Sequence, residues 1–291
     1  MFEKVEELLN YFPMNDIDFE LGSGDQYLSD LVKTVNDNYD AGNFQVTYFY
    51  SHLIFMSFVY YCVKRIYSID ERRASDVYYS INAYNGRNAD KPNINTNNIY
   101  DFSKIPEKEI FKLFYAIGME DDKIKKISKY ISSRDDFAHA TGKGNITNKQ
   151  LETNIEEIKA YMNYIQNVFK NNLILILSTF CREKIVSEYF EIFNYINELI
   201  DTNNLSKCDL KVMNQASWDY ISQLTDFTDI DIKRFRHVKY VFEEYCAENY
   251  GYEHSQLYKL HNKDEDYLCF KYKDNAKGFI ENELHISEYE C

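Results

Sequence analysis

A mainly α-helical fold is predicted for this chain of 291 residues by three observations. Proline occurs only at positions 13, 92 and 106, so the rest of the chain lacks the residue that most reliably breaks a helix. Apolar residues recur at helical spacing, as in Ile124, Ile127 and Ile131, or Leu151, Ile155 and Ile158. Glycine, asparagine and aspartate then punctuate the ends of those runs.

Residues 1–41 read as an N-terminal helical extension, with helices near Val5–Tyr11 and Tyr27–Val35 around a loop that carries Gly22 and Gly24. Residues 42–172 read as the main bundle. Gly42 and Asn43 precede a long apolar helix, about Phe44–Ile69. An Asn-rich insertion covers 70–105, with a short helix expected at Ser75–Asn82. Ser103 is the expected N-cap and Pro106 the first residue of a helix over 106–117 that Gly118 ends. The next helix starts at Asp121 and Asp122, whose charges suit the positive end of the helix dipole, and runs to near Gly142. A further helix spans about Asn148–Phe169 and is expected to break at Asn171 and Asn172.

Residues 173–250 add helices packed on the bundle: one from Leu173 toward Ile200, a polar boundary at 201–207, then helices near 209–224 and 230–249. In the tail, 251–291, the alternation of Leu268, Phe270 and Tyr272, the turn-prone segment 274–278 and Phe279 to Ile286 predict a small β-hairpin.

Composition narrows the function. With 45% hydrophobic residues, including 27 Tyr and 20 Phe, the chain can fill a core and is not a disordered segment. Its net charge of −14 disfavours phosphate at long range unless a local basic surface reverses the field. Two basic runs qualify: Lys123, Lys125, Lys126, Lys129 and Arg134, with Lys143 and Lys149 beyond, and Lys233, Arg234, Arg236 and Lys239. The six cysteines show no C-x-x-C pair, so neither a zinc signature nor a dense disulfide framework is present. An acidic start, Met1-Phe2-Glu3, differs from a secretory leader, and a cytoplasmic location is expected. Val46–Val63 is nearly long enough to span a bilayer, but its His52, serines and tyrosines fit the central helix of a bundle, so no membrane association is expected.

The sharpest chemistry sits in Arg134-Asp135-Asp136-Phe137-Ala138-His139. It sets a guanidinium and an imidazole five residues apart between two helices. With six His and eight Arg, chance supplies about 0.16 such pairs, so the setting matters more than the spacing. An Arg, a polar residue, three more residues and a His in an all-helical domain resembles the motif of the HEPN superfamily. The resemblance covers 42–172. It implies a bundle of about four or five helices, a homodimer that pairs two motifs, and metal-independent RNase activity in toxin or anti-phage defence systems, held off by an antitoxin or another inhibitory partner. Some toxins of the family carry a Tyr two residues after the His that a partner nucleotidyltransferase modifies. Thr141 stands there, so that route of control is not expected.

On this resemblance Arg134, His139 and Asp135 are the catalytic candidates, and RNA is the substrate. The ribose 2′-hydroxyl attacks the adjacent phosphate and leaves a cyclic phosphate. His139 serves as general base or acid, its ordinary pKa lying near neutrality. Arg134 grips the phosphate through its planar fork. Asp135, four residues before His139, is spaced to orient the imidazole. Lys126, Lys129, Lys143 and Lys149 are the RNA-binding candidates. No metal or cofactor is implied. The alternative is a non-catalytic helical adaptor that binds RNA or protein, with Arg134 paired to Asp136 or Glu120 and His139 a core residue. His52 reads as a core histidine.

Overall fold

A computed structural model describes residues 3–12, 24–83, 98–138, 146–184, 187, 189–216, 221 and 229–252; within them, the side chains of 3–4, 6, 24–25, 81–83, 133–138, 229–234 and 236 lie outside the description. All regular elements among the described residues are α-helices or 3₁₀ segments, with no strand among them. The expected hairpin at 268–286 lies outside the described residues. The chain divides into two compact units, Met1–Phe169 and Lys170–Cys291.

In the first unit α1 (Glu3–Leu9), α2 (Gly24–Asp40), α3 (Phe44–Ile69) and α4 (Glu71–Ala83) precede a 3₁₀ turn at Ile99–Lys104. Then come α5 (Glu107–Ile110), a second 3₁₀ segment (Phe111–Ile117), α6 (Asp121–Ala138) and the first part of α7 (Asn148–Glu183). α2 and α3 form a tight antiparallel pair. Gly42 makes the turn between them possible: at φ +76° it occupies the left-handed region, and the amides of Gly42 and Asn43 bond the carbonyls of Tyr39 and Asn38. Gly118, at φ +86°, closes the second 3₁₀ segment in the same way, its amide on Tyr115 and that of Met119 on Phe114.

α3 organises this unit. Helix period alone leaves one side of a surface helix wet, yet Ile54 to Val63 is buried without a break. Of the 18-residue window that is apolar and long enough for a membrane span, 78% is buried, the surroundings of a core helix. Packed on it are Phe12, Leu31, Val35, Phe102, Phe111, Tyr130, Ile155 and Tyr161, joined in one cluster. Fully burying one such side chain contributes about 1.5–3 kcal/mol, so α3 supplies the largest single share of the hydrophobic stabilisation.

Three expectations need correction. Pro106 is the N-cap of α5, its carbonyl accepting from Glu109 and Ile110, while Ser103 belongs to the preceding 3₁₀ turn. The expected helix over 106–117 is mostly 3₁₀. Its buried Phe111, Phe114 and Ile117 recur every third residue, the period at which 3₁₀ side chains line up on one face. Finally, α7 passes through Asn171 and Asn172 unbroken, and the next helix, α8 (Tyr189–Asn203), begins only at Tyr189. Asparagine costs a helix under about 1 kcal/mol. The buried residues Ile165, Val168, Leu173, Ile174, Leu177 and Cys181 carry the apolar stripe across and outweigh it.

The second unit contains the remainder of α7, α8, α9 (Lys207–Gln215) and α10 (Asp229–Tyr250). Ser206 and Asp209 start α9 with a reciprocal capping box. α10 is buried from His237 to Cys246. Lys239, expected in a surface basic run, is instead 3% exposed; its ammonium donates to Glu243 at 2.7 Å and to the Asn214 carbonyl at 2.9 Å. The i, i+4 spacing provides the carboxylate that lets a lysine stay inside.

Burial lowers the His237 imidazole to about 3. The unfolded chain binds that proton near pH 6.5, whereas the native unit refuses it until near pH 3. Stability therefore falls as pH drops through this window, by up to about 1.4 kcal/mol per pH unit from this group. In urea titrations from pH 7 to 4.5, wild type should lose more stability than His237→Leu; an offset between the two that does not change with pH would contradict the buried neutral imidazole.

Candidate functional site

The RDDFAH segment straddles the end of α6. Arg134 and Asp135 lie four and three residues before its end, within a backbone that is helical to Ala138; their side chains lie outside the description, as do His139 and Lys143 entirely. The pairings of Arg134 and the contacts of the histidine therefore fall outside the described residues. What the described residues do define is the surface on which the segment ends.

Ile124, Ile127, Tyr130 and Ile131 form the buried stripe of α6. The solvent side carries Lys125, Lys126 and Lys129. Part of the basic run is offset locally: Lys125 pairs with Asp121 one turn back, and Lys123 with Asp122 at 3.5 Å. Lys123 also sits 5.7 Å above the Tyr164 ring. Lys126, Lys129 and Lys149 are exposed as expected, and Lys149 borders a cavity.

That cavity is an open cleft of about 520 Å³ between α3, α6 and the start of α7. Tyr48, Tyr130, Ile146, Lys149, Asn154 and Glu157 are among its lining residues. Position 134 follows Tyr130 by four residues, about 6 Å further along the helix axis. The cleft and the motif thus share the C-terminal half of α6.

α7 begins at the cleft with Thr147 as its cap. The Gln150 amide donates to Thr147 Oγ1 at 3.3 Å, and the Thr147 amide returns a bond to Gln150 Oε1 at 2.9 Å. This reciprocal pairing sets the direction in which α7 leaves the motif loop. One turn on, Asn154 interrupts the apolar run of Leu151, Ile155 and Ile158 with a buried polar side chain. Its Nδ2 donates to the Tyr130 hydroxyl at 2.9 Å, tying α7 to α6.

Around Tyr130 the interior is aromatic. Its ring centroid lies 5.3 Å from Tyr161, 6.1 Å from Phe55 and 6.4 Å from His52. Burial foremost, then the proximity of Tyr48, pushes the Tyr130 hydroxyl far above its ordinary pKa, so it stays protonated. Burial and a hydrogen bond to Glu157 at 2.7 Å do the same for Tyr161. His52, 1% exposed, donates from Nε2 to Glu107 at 3.1 Å, the core histidine that its place in α3 predicts.

Tyr48, Tyr130, Asn154 and Glu157 were not singled out by sequence reasoning. The readable signals were the Thr-x-x-Gln box at 147–150 and the asparagine placed in an apolar stripe. Among the described residues no three or more His, Cys, Asp or Glu side chains are grouped to hold a metal ion. No protein-family model matches the chain, and no curated protein or solved structure matches it.

Removing the Tyr130 hydroxyl strands a buried amide, which costs about 1–3 kcal/mol. In urea unfolding, Tyr130→Phe and Asn154→Leu should each destabilise the protein. The double variant should cost less than their sum, with a coupling of about 1 kcal/mol. Strictly additive losses would show that the two groups do not act together.

Proposed function

We propose that the chain is a metal-independent endoribonuclease of HEPN type, acting as a toxin or anti-phage effector. One observation supports the reading: α6, which carries Arg134 and Asp135 near its C-terminal end, also lines an open cleft through Tyr130, with Lys149 at the border of that cleft. The 2′-hydroxyl of a ribose attacks the neighbouring phosphate, the 5′-oxygen leaves with a proton, and a 2′,3′-cyclic phosphate remains. His139 moves the proton, and Arg134 neutralises charge developing on the phosphate. Asp135 holds the imidazole in one tautomer.

One imidazole is poorly suited to act as base and acid in the same step. Two copies of the motif brought together by a twofold axis divide the work, which is why the active form is proposed as a homodimer. The chain's acidic balance fits restraint by a basic inhibitory partner or segment, and local lysines at 126, 129, 143 and 149 supply the attraction for RNA.

Purified protein should cut RNA in excess EDTA. Arg134→Ala and His139→Ala should each lower the rate by about 10²-fold or more, the usual contribution of a proton-transfer or oxyanion group. RNA bound by wild type and both variants but cut by none would instead assign the chain to the adaptor class. Cleavage unchanged in both variants would reject the assignment of the motif.

A further inference from the structure

α3 is enclosed on all sides through its middle but not at its start. Over its first turns Val46 and Leu53 are 38% and 37% exposed, and Phe49 and Tyr50 are half-buried. Positions 46, 49, 50 and 53 follow the i, i+3, i+4, i+7 spacing, so the four side chains form one apolar stripe about 10 Å long. Seven residues on, the same face carries Tyr60, which is buried, its ring centroid 6.3 Å from that of Tyr100 in the turn at Ile99–Lys104. The chain covers the second half of this face with its own residues and leaves the first half open.

The open half is also free of charge. From Phe44 to Val63 there is no Asp, Glu, Lys or Arg. Two copies of a chain with net charge −14 repel each other at long range, and carboxylates brought together on contact add to the cost. An uncharged helix face is where that cost is least, and it offers nothing to a basic partner or to the phosphates of RNA. A stripe of this spacing is self-complementary as well. An antiparallel copy sets Val46 against Leu53 and Leu53 against Val46, about an axis near Phe49 and Tyr50.

The stripe lies beside the candidate site. Tyr48, the neighbour of Phe49, lines the cleft together with Tyr130. The rings of His52 and Phe55 on α3 are centred 6.4 and 6.1 Å from that of Tyr130, and position 134 follows one turn later on α6. An axis through the stripe therefore runs next to the end of α6 in both copies.

We infer that the stripe is where a second copy of this chain docks, α3 against α3 about a twofold axis near Phe49 and Tyr50. The four side chains form the centre of the contact. A stable dimer covers about 800 Å² on each copy, and a few residues at its centre carry most of the energy. That the pairing completes an active site rests on the ribonuclease reading, in which one imidazole is the base and the other the acid. The pairing itself does not.

The test is sedimentation of the full-length chain over a range of concentrations. Wild type should be dimeric. Val46→Glu and Leu53→Glu should each raise the dissociation constant about a hundredfold or more, because the carboxylate enters the contact twice. Both positions are exposed, so the melting transition should be kept. Leu53→Ser, which adds no charge, serves as the second variant should a glutamate prevent folding, and should weaken the dimer about tenfold. Tyr79→Glu, at an exposed aromatic position of α4, should leave the dimer as it is. A wild-type monomer at every concentration, or a dimer that survives both glutamates, would overturn the interface. Loss of the dimer in both glutamate variants, with no RNA cut by any of the proteins, keeps the interface and removes the ribonuclease reading. RNA cut by a monomeric wild type does the reverse.

Discussion

The hydrogen bond between Asn154 and Tyr130, 2.9 Å long and enclosed by aromatic rings, is the constraint on which the candidate site depends. It joins the two helices that flank the motif loop at a depth where water cannot compete. A hydrogen bond in such surroundings is costly to break, because each partner would be left buried and unmet. Apolar packing alone would permit α6 and α7 to slide by a fraction of a turn. The polar pair selects one register, and with it the position at which α6 delivers Arg134.

α3 supplies the rigid wall behind that pair. Its side chains are buried on nearly all sides through the middle of the helix, so the helices that cover it have little freedom. Some of the polar groups admitted to this interior are met locally: Ser51 and Ser57 bond carbonyls one turn back, and His52 Nε2 meets Glu107.

Much of the helical architecture was legible in the residues themselves. α3 begins and ends where its apolar run and the preceding Gly42 and Asn43 place it, and Gly118 stops its segment because a left-handed residue is needed there. Asn171 and Asn172 misled because local propensity is weak beside an apolar stripe that continues on both sides. Lys239 misled for another reason. A charge next to other charges reads as surface, and only the fold reveals that Glu243 and a backbone carbonyl receive it inside. The motif was legible as chemistry, whereas the cleft was not: its residues come from helices about a hundred positions apart, and only Asn154 and the 147–150 box leave a mark on the sequence.

The central claim is that a ribose hydroxyl is the nucleophile and that the residues around the end of α6 activate it. An oligonucleotide of RNA with a single 2′-deoxy substitution at the scissile nucleotide tests this most directly, in chelator and beside its all-ribose parent. The account predicts that the parent is cut to a cyclic-phosphate end while the substituted strand stays intact at that position. Cleavage of the substituted strand at the same bond would place the nucleophile elsewhere and contradict the account.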